Sequence, residues 1–443
     1  MTDLIDKKKI KLRKGLVKTL INRILSALNQ NNISTYLIHE DIQETVELFF
    51  IKKNLDMRRQ KEVHHYTLTV YKDFEIEGTK MRGSSTVGIY AGMTDEEIAT
   101  KVKDAYFAAS FVNNPYYELP SGEKEECVRL ESSLASGSLA DAAGKMAEAL
   151  FSEDTLQDTF INSAELFVEK IINRIINSNG VNVSFEKYMA KGEYVVQCVT
   201  PQDVETYQDF AYENLDAQAL KDKVKQTLEI TKARAQAATA PGAGEYNVIL
   251  SGKHVGIICS YYLNRANASM IYPKYSNYAI GNNIQGQDVN GELLNITLKA
   301  KAPYSNEGIP MIDRPLITDG VLQTIHGSSR FAYYLGIEPT GDYHSIALPS
   351  GTKTFEEMKS GKYLYVLNFS DFQMDDLSGH FAGEIRLALL CDGETITPVT
   401  GGSINGNLLE AQKNLTFSKE MQKEINFEGP YAIRLENVSV AGA

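Results

Sequence analysis

The stretch Asn247–Ser276, NVILSGKHVGIICSYYLNRANASMIYPKYS, joins a strand to a helix and decides how the rest of the chain is organised. Asn247 to Leu250 reads as a short buried strand, and Ser251-Gly252 turns the chain. From Lys253 to Met270 apolar residues recur at Val255, Ile258, Tyr262 and Ala266, the spacing of a helix with one buried face. A helix that starts directly after a strand is a common site-builder, so its polar positions are the first candidates: His254, Cys259, Ser260, Asn264, Arg265 and Asn267. No pair of them makes a zinc motif. A metallopeptidase helix of the H-E-x-x-H type carries two imidazoles for the metal and a carboxylate for the water proton. This helix has one histidine and no acid, and a packing helix with a polar rim accounts for the same residues.

At 443 residues the chain exceeds one comfortable core, and an apolar content of 43% is enough to fill two or three. Its 45 basic and 57 acidic residues leave a net charge of −12, which argues against direct nucleic-acid binding and against an anionic membrane surface. Residues 1–18 are a local exception, rich in lysine, and continue through Leu16, Leu20, Ile24 and Leu28 into an amphipathic helix pattern. No apolar run approaches the roughly 20 residues that span a bilayer. No signal-peptide core follows the basic start, so a cytoplasmic location is expected. Four cysteines, at 127, 198, 259 and 391, lack C-x-x-C spacing and suggest neither a disulfide framework nor a zinc knuckle.

Working outward, residues 1–115 read as an α/β N-terminal domain. Strands are expected at Ile33 to Ile38, Glu44 to Lys52, Val63 to Phe74 and Arg82 to Tyr90, followed by a helix capped by Thr94 and Glu97. His64 and His65 are neighbours on a strand, so they point to opposite faces and do not chelate one metal. Residues 116–240 read as a helix-rich middle domain. Helices are expected at 138–150, 155–178, 201–212 and 216–236, with Asn179-Gly180 as a stop and Thr200-Pro201 as a start. Arg129, Glu131, Glu165, Glu169 and Lys170 read there as a solvated charged face. Ala235 to Gly244, AQAATAPGAG, reads as a linker. Residues 241–443 read as a β-rich C-terminal domain carrying the helix described above. Near its end, Ala382 to Leu390 and Glu394 to Val399 flank Asp392-Gly393, a type I′ hairpin dipeptide. The overall expectation is an α+β fold.

Four stretches carry a resemblance. GEIRLALLCDGETITPVTGGSINGNLLEAQKNL (383–415), YAIRLENVSVAG (431–442), GAGEYNVILSGKHVGIICSYY (242–262) and TVGIYAGMTDEEI (86–98) resemble the TldD/PmbA family of zinc-dependent peptidases, also called modulators of DNA gyrase. The resemblance implies the three-part layout drawn above. It also implies a division between TldD-like members with H-E-x-x-x-H on the central helix plus a late cysteine, and PmbA/TldE-like members that lack the motif and pair with a catalytic subunit. On that pattern the motif positions are Cys259, Ser260 and Asn264, and the late cysteine would fall between Glu420 and Gly429, where this chain has none. The resemblance therefore implies a PmbA/TldE-like subunit with no cofactor of its own. Zinc belongs to a TldD-like catalytic partner, an unstructured peptide is the substrate, and the assembly is a homo- or hetero-oligomer.

Other chemistry is weighed beside this. Cys259 next to Ser260 suggests a nucleophile, but His254 lies five residues back, about 140° around the helix, and is a poor base for it. Asp371, Asp375, Asp376 and His380 in SDFQMDDLSGHF form the best metal-like group by type, with His344 as a distant helper; a turn rich in Asp and Gly explains them as well. Arg265 and Lys274 are candidates for a substrate carboxylate. Two alternatives to the subunit stay open at this point: an independent hydrolase using Cys259 or a metal at Asp375 and His380, and a regulatory binding protein of the gyrase-modulator type.

Overall fold

The structure is a computed structural model and describes residues 20–122 and 127–442. The basic stretch at 1–18 lies outside the described residues. Two long hairpins build the first sheet: β1 (Tyr36–Ile51) with β2 (Asn54–Ile76), and β5 (Thr159–Asn177) with β6 (Asn182–Cys198). β1 and β5 pair antiparallel in register from Leu37↔Asn177 to Ile51↔Ser163. With β3 (Thr79–Ile89), β4 (Val128–Arg129) and β7 (Val204–Tyr212), the order is β3-β2-β1-β5-β6-β4, with β7 also on β6. This sheet takes strands from both sides of position 115, so the expected boundary there does not divide the strand pairing.

The expected helices at 155–178 and 201–212 are corrected to strands β5 and β7, and the middle region is not helix-rich. The physical reason is visible in β5. Ile161, Ala164, Val168, Ile171 and Ile175 fall at helical spacing, yet Thr159, Ile161, Val168, Ile171, Ile172, Ile175 and Ile176 are β-branched and suit a pleated sheet. Asn179-Gly180 ends a strand, not a helix. The Asn177 carboxamide oxygen accepts from the backbone N–H of Asn179 (2.8 Å) and Val181 (3.1 Å), and Gly180 takes φ +96°, closing the β5–β6 hairpin. Thr200-Pro201 likewise precedes β7 without capping a helix.

Four helices pack on one or other part of this sheet. α1 (residues 20–30) and α2 (Asp95–Ala109) bury Leu20, Ile24, Leu28, Ile98 and Val102 against Ile38, Leu68 and Val70. The expected capping box of α2 is present, with Thr94 and Glu97 each bonding the other's backbone N–H. α3 (Leu139–Ser152) and α4 (Ala217–Gln236) cover the outer half, burying Met146, Leu150, Leu220 and Val224 against Val46, Leu48, Leu166 and Val196.

Beyond α4 the chain builds two further sheets. One is small and has the order β11-β10-β9-β12-β19-β18, from β9 (Ile296–Leu298), β10 (Arg314–Thr318), β11 (Val321–Leu322), β12 (Ile346–Ala347), β18 (Met421–Glu424) and β19 (Phe427–Pro430). The other contains β8 (Gly244–Ser251), β13 (Tyr363–Met374), β14 (His380–Cys391), β15 (Ile396–Val399), β16 (Ser403–Asn407), β17 (Thr416–Phe417) and β20 (Ala432–Ala441). Its order is β13-β8-β20-β16-β14-β15, and β13 pairs with β14 as well, so five of these strands close into a barrel. Among the described residues the architecture is thus mixed α+β with three sheets. The β14–β15 loop is longer than the expected two-residue turn. Cys391 pairs with Ile396, and the Asp392 carboxylate accepts from the N–H of Glu394 and Thr395 and from the Thr395 hydroxyl.

Two seams join the first sheet to the later part of the chain. On one, Tyr117, Leu119, Ile175, Val183 and Phe185 share an apolar cluster with Tyr304 and Tyr334. On the other, α4 and β7 face β14, β18 and the start of the helix after β8 across polar contacts. The expected linker 235–244 is partly packed: Ala235, Ala237 and Pro241 are buried, and Thr239 accepts from the Thr400 N–H. No described helix is long and apolar enough to cross a membrane.

Candidate functional site

β8 lies between β13, parallel, and β20, antiparallel, which fixes the point where the next helix starts. Gly252 takes φ +62°, where a side chain is strained, and turns the chain directly into α5 (Lys253–Arg265). The expected single helix to Met270 is broken at Ala266-Asn267. The Asn267 carboxamide accepts from the Ser269 N–H and caps a short second helix, Ala268–Ile271. Val255, Ile258, Tyr262 and Ala266 are all buried, as their spacing predicts, in a core shared with Val248, Leu250, Leu364, Val366, Ile433 and Leu435. Gly256 lets α5 approach β19, because a Cβ there would sit 3.0 Å from Phe427 Cβ.

The three motif positions are occupied by structural contacts. The Cys259 thiol is buried in the core, and that burial pushes its pKa up to about 12, so it is neither an accessible thiolate nor a ready metal ligand. Ser260 donates its hydroxyl back to the Ile257 carbonyl at 2.7 Å. Asn264 donates its amide to Asp376 Oδ2 at 2.9 Å. A zinc ion needs donors that converge with free lone pairs, and this set offers one neutral core thiol, one engaged hydroxyl and one engaged amide. These residues do not fit the metal.

Asp375, Asp376 and His380 do not form a cation cage. Asp375 turns onto its own loop, accepting from the Leu377 N–H and the Ser378 hydroxyl, and these bonds hold its pKa low. Asp376 faces α5, where burial raises its pKa and the Asn264 amide opposes the rise. His380 is exposed, its N–H on Ser378 Oγ. Among the described residues no group of three His, Cys, Asp or Glu side chains comes together to hold a metal. Arg265 is spent on the same loop and on α5's continuation, donating to the carbonyls of Tyr275, Asp376 and Leu377 and to Asn277 Oδ1. Asp371 accepts from Gln373, Lys274 is exposed, and His344 lines a separate cavity with His39 and Asp342. His64 lies 2.9 Å from Glu62, and Glu169 and Lys170 pair with Lys191 and Glu186.

A wide concavity lies elsewhere, along the polar seam. A cleft of about 1170 Å³ runs between α4 and β7 on one side and α5's N-terminus, β13, β14 and β18 on the other. His254 opens onto it from the second position of α5. Its Nδ1–H donates to the Ser251 carbonyl at 3.2 Å, and its ring meets the rings of Phe369 and Phe372 edge-on at 4.9 and 5.3 Å. Burial pulls its pKa down to about 4, with Lys253 adding to the fall and the Ser251 carbonyl opposing it, so the imidazole is neutral at pH 7. Four polar contacts tie the walls: Lys223 to Glu424 (3.2 Å), Lys253 to Asp209 (3.1 Å), Lys301 to Glu213 (3.3 Å) and Gln226 Nε2 to the Tyr431 hydroxyl (2.9 Å). Sequence reading singled out His254 but missed this wall. Its residues lie in α4, β7 and β18, far apart in the chain, and only a charge in the middle of a strand, as at Arg386, hints at it.

Comparison with known proteins adds the lineage. Residues 243–442, from β8 through β20, match the PmbA/TldA metallopeptidase C-terminal domain. This C-terminal region is thus similar to the PmbA/TldD metallopeptidases. A metalloprotease of Methanothermobacter thermautotrophicus is 30% identical over 132 residues, which span 25% of this chain and 28% of that protein. The fold matches TldE from Thermococcus kodakarensis over 96% of this chain and 100% of that one, with a TM-score of 0.74 at 16% identity. A proposed DNA gyrase modulator of Thermotoga maritima matches with the same score, identity and coverage. Another, from Bacteroides thetaiotaomicron, has a TM-score of 0.72 at 17% identity and covers 97% of this chain and 99% of that one. At these identities the structural likenesses speak for the fold alone.

Proposed function

We propose that this chain is the PmbA/TldE-like, non-catalytic subunit of a heteromeric zinc peptidase acting on unstructured peptides. In this reading a TldD-like partner supplies both the zinc and the glutamate. The observation that carries it is the state of α5: the three motif-equivalent residues Cys259, Ser260 and Asn264 are a buried neutral thiol, a hydroxyl bonded to its own helix and an amide bonded to Asp376. Amide hydrolysis by water needs a Lewis acid for the carbonyl and a base for the water proton. Neither stands on this helix. The frame itself is retained, since β8, α5 and β13 to β20 belong to a metallopeptidase domain, and the likeness to TldE supports a role beside a catalytic relative.

The alternative of an independent thiol hydrolase is disfavoured, because Cys259 is sealed in the core and His254 faces Phe369 and Phe372 instead of the thiol. The test mixes the purified chain with an H-E-x-x-x-H relative and follows cleavage of a fluorogenic unstructured peptide. Cleavage is expected only in the mixture, lost on Glu→Gln in the relative and largely kept on Ser260→Ala. Zinc-independent hydrolysis by this chain alone, lost on Cys259→Ala or Ser260→Ala, contradicts the proposal.

A further inference from the structure

The cleft beside α5 holds two arginines, Arg234 with no ion pair among the described residues and Arg386 with only a weak one to an exposed glutamate. Arg234, in the last turn of α4, donates to the Glu205 carbonyl, and among the described residues no carboxylate forms an ion pair with it. Arg386 reaches the same cleft from β14, where its one ion pair among the described residues is with the exposed Glu384, at 3.4 Å; Glu384 also accepts from the Ser370 hydroxyl at 2.5 Å. The two arginines are brought together by backbone ties. Thr239, just past α4, accepts from the Thr400 N–H at 2.9 Å, and the Thr400 hydroxyl donates to the Arg386 carbonyl at 2.9 Å. Burial lowers the Arg234 pKa, and the nearby Arg386 charge lowers it further. Of the lysines lining this cleft, Lys223, Lys253 and Lys301 each have a carboxylate, and Lys423, on the far strand β18, has no ion pair among the described residues. The negative end of the α4 dipole accounts for one arginine at this place, but not for a second beside it.

We infer that Arg234 and Arg386 together bind a carboxylate, and that the group they take is the C-terminal carboxylate of a peptide lying in the cleft. Guanidinium forks match a planar carboxylate with paired, charge-assisted hydrogen bonds. Two forks from opposite walls hold it in a fixed orientation. A cleft of about 1170 Å³ has room for a short peptide, and its lining adds the neutral polar Asn368, Ser370 and Gln208, suited to a peptide backbone, beside the carboxylate of Glu205, which takes the Asn162 amide. Glu384 then acts as an internal competitor that the ligand displaces from Arg386. This inference rests on the peptide-handling reading above, but its test needs no partner subunit and no cleavage.

The test uses the full chain alone and an N-terminally fluorescein-labelled unstructured pentapeptide, as the free acid and as the C-terminal amide, with binding followed by anisotropy. The free acid should bind at least about tenfold more tightly than the amide. Arg234→Gln and Arg386→Gln should each abolish that difference while leaving the thermal unfolding transition in place. Glu384→Gln should enlarge it by freeing Arg386. Inorganic phosphate, added as competitor, should displace the free acid only weakly. Equal binding of acid and amide, an unchanged difference in either arginine variant, or phosphate binding as tightly as the peptide would each overturn the inference. Failure of partner-dependent cleavage with acid-selective binding intact would instead overturn the subunit reading alone.

Discussion

The inner turns of α5 and the cleft at its N-terminus are two parts of one helix's surroundings with opposite characters. From Val255 to Ala266 the side chains are buried or bonded to their own frame, and the polar ones are consumed by Ile257, Asp376 and the loop carbonyls. Beyond His254 the cleft walls are polar and held by ion pairs between partly exposed groups. The polar positions of α5 carry structural contacts, whereas Arg234 and Arg386 line the cleft. A packed helix core resists change, whereas a polar cleft accepts a ligand.

This contrast is sharpest in stability. Ile258→Ala removes a fully buried side chain from the core shared by α5 and β8, and should cost about 2–5 kcal/mol in denaturant unfolding. In the same protein a thiol reagent should label the exposed Cys127 quickly and leave Cys259 untouched until unfolding. Rapid native labelling of Cys259, or a loss below about 0.5 kcal/mol for Ile258→Ala, would mean that the inner turns are not the sealed region described.

His254 sits where the two regions meet, and it predicts a pH dependence. Its folded pKa of about 4 lies below the ordinary value of 6.5, so the folded state prefers the neutral ring. The stability this contributes is complete above pH 6.5 and is lost as pH falls toward 4, because the unfolded chain takes up the proton first. The loss should approach about 3 kcal/mol, and His254→Gln should flatten it. An unchanged pH profile in that variant would show that the ring is solvated in the cleft instead of sealed against Phe369 and Phe372.

The smallest effect belongs to the cleft walls. Lys223→Ala breaks the pair with Glu424 between partly exposed groups and should cost about 0–1 kcal/mol, decreasing with salt. A loss of several kcal/mol would make the polar seam a structural interface like the apolar one around Tyr117 and Tyr304.

Parts of the fold were legible in the sequence where its signals were local and agreed with one another. Asn247–Leu250 and the apolar spacing of α5 gave a buried strand and helix, and Thr94 with Glu97 gave a cap. The misreadings lie where two signals conflict. In β5 the apolar residues fall at helical intervals, while the β-branched composition and the following Asn-Gly favour a hairpin; tertiary pairing with β1 and β6 decided the outcome. The motif positions were legible as residues, but not the partners that Ser260 and Asn264 take. Nothing local places Asp376 beside Asn264, or Arg386 in the cleft reached by Arg234, since those contacts join segments more than a hundred residues apart in the sequence.

The most direct measurement of the central claim is the zinc content of the purified chain after dialysis against a stoichiometric supply of the metal. Cys259, Ser260 and Asn264 are committed to the core, to α5 itself and to Asp376, so the account predicts no stoichiometric zinc in the wild type and the same result for Cys259→Ala. One tightly held zinc per chain, lost on Cys259→Ala, would contradict it.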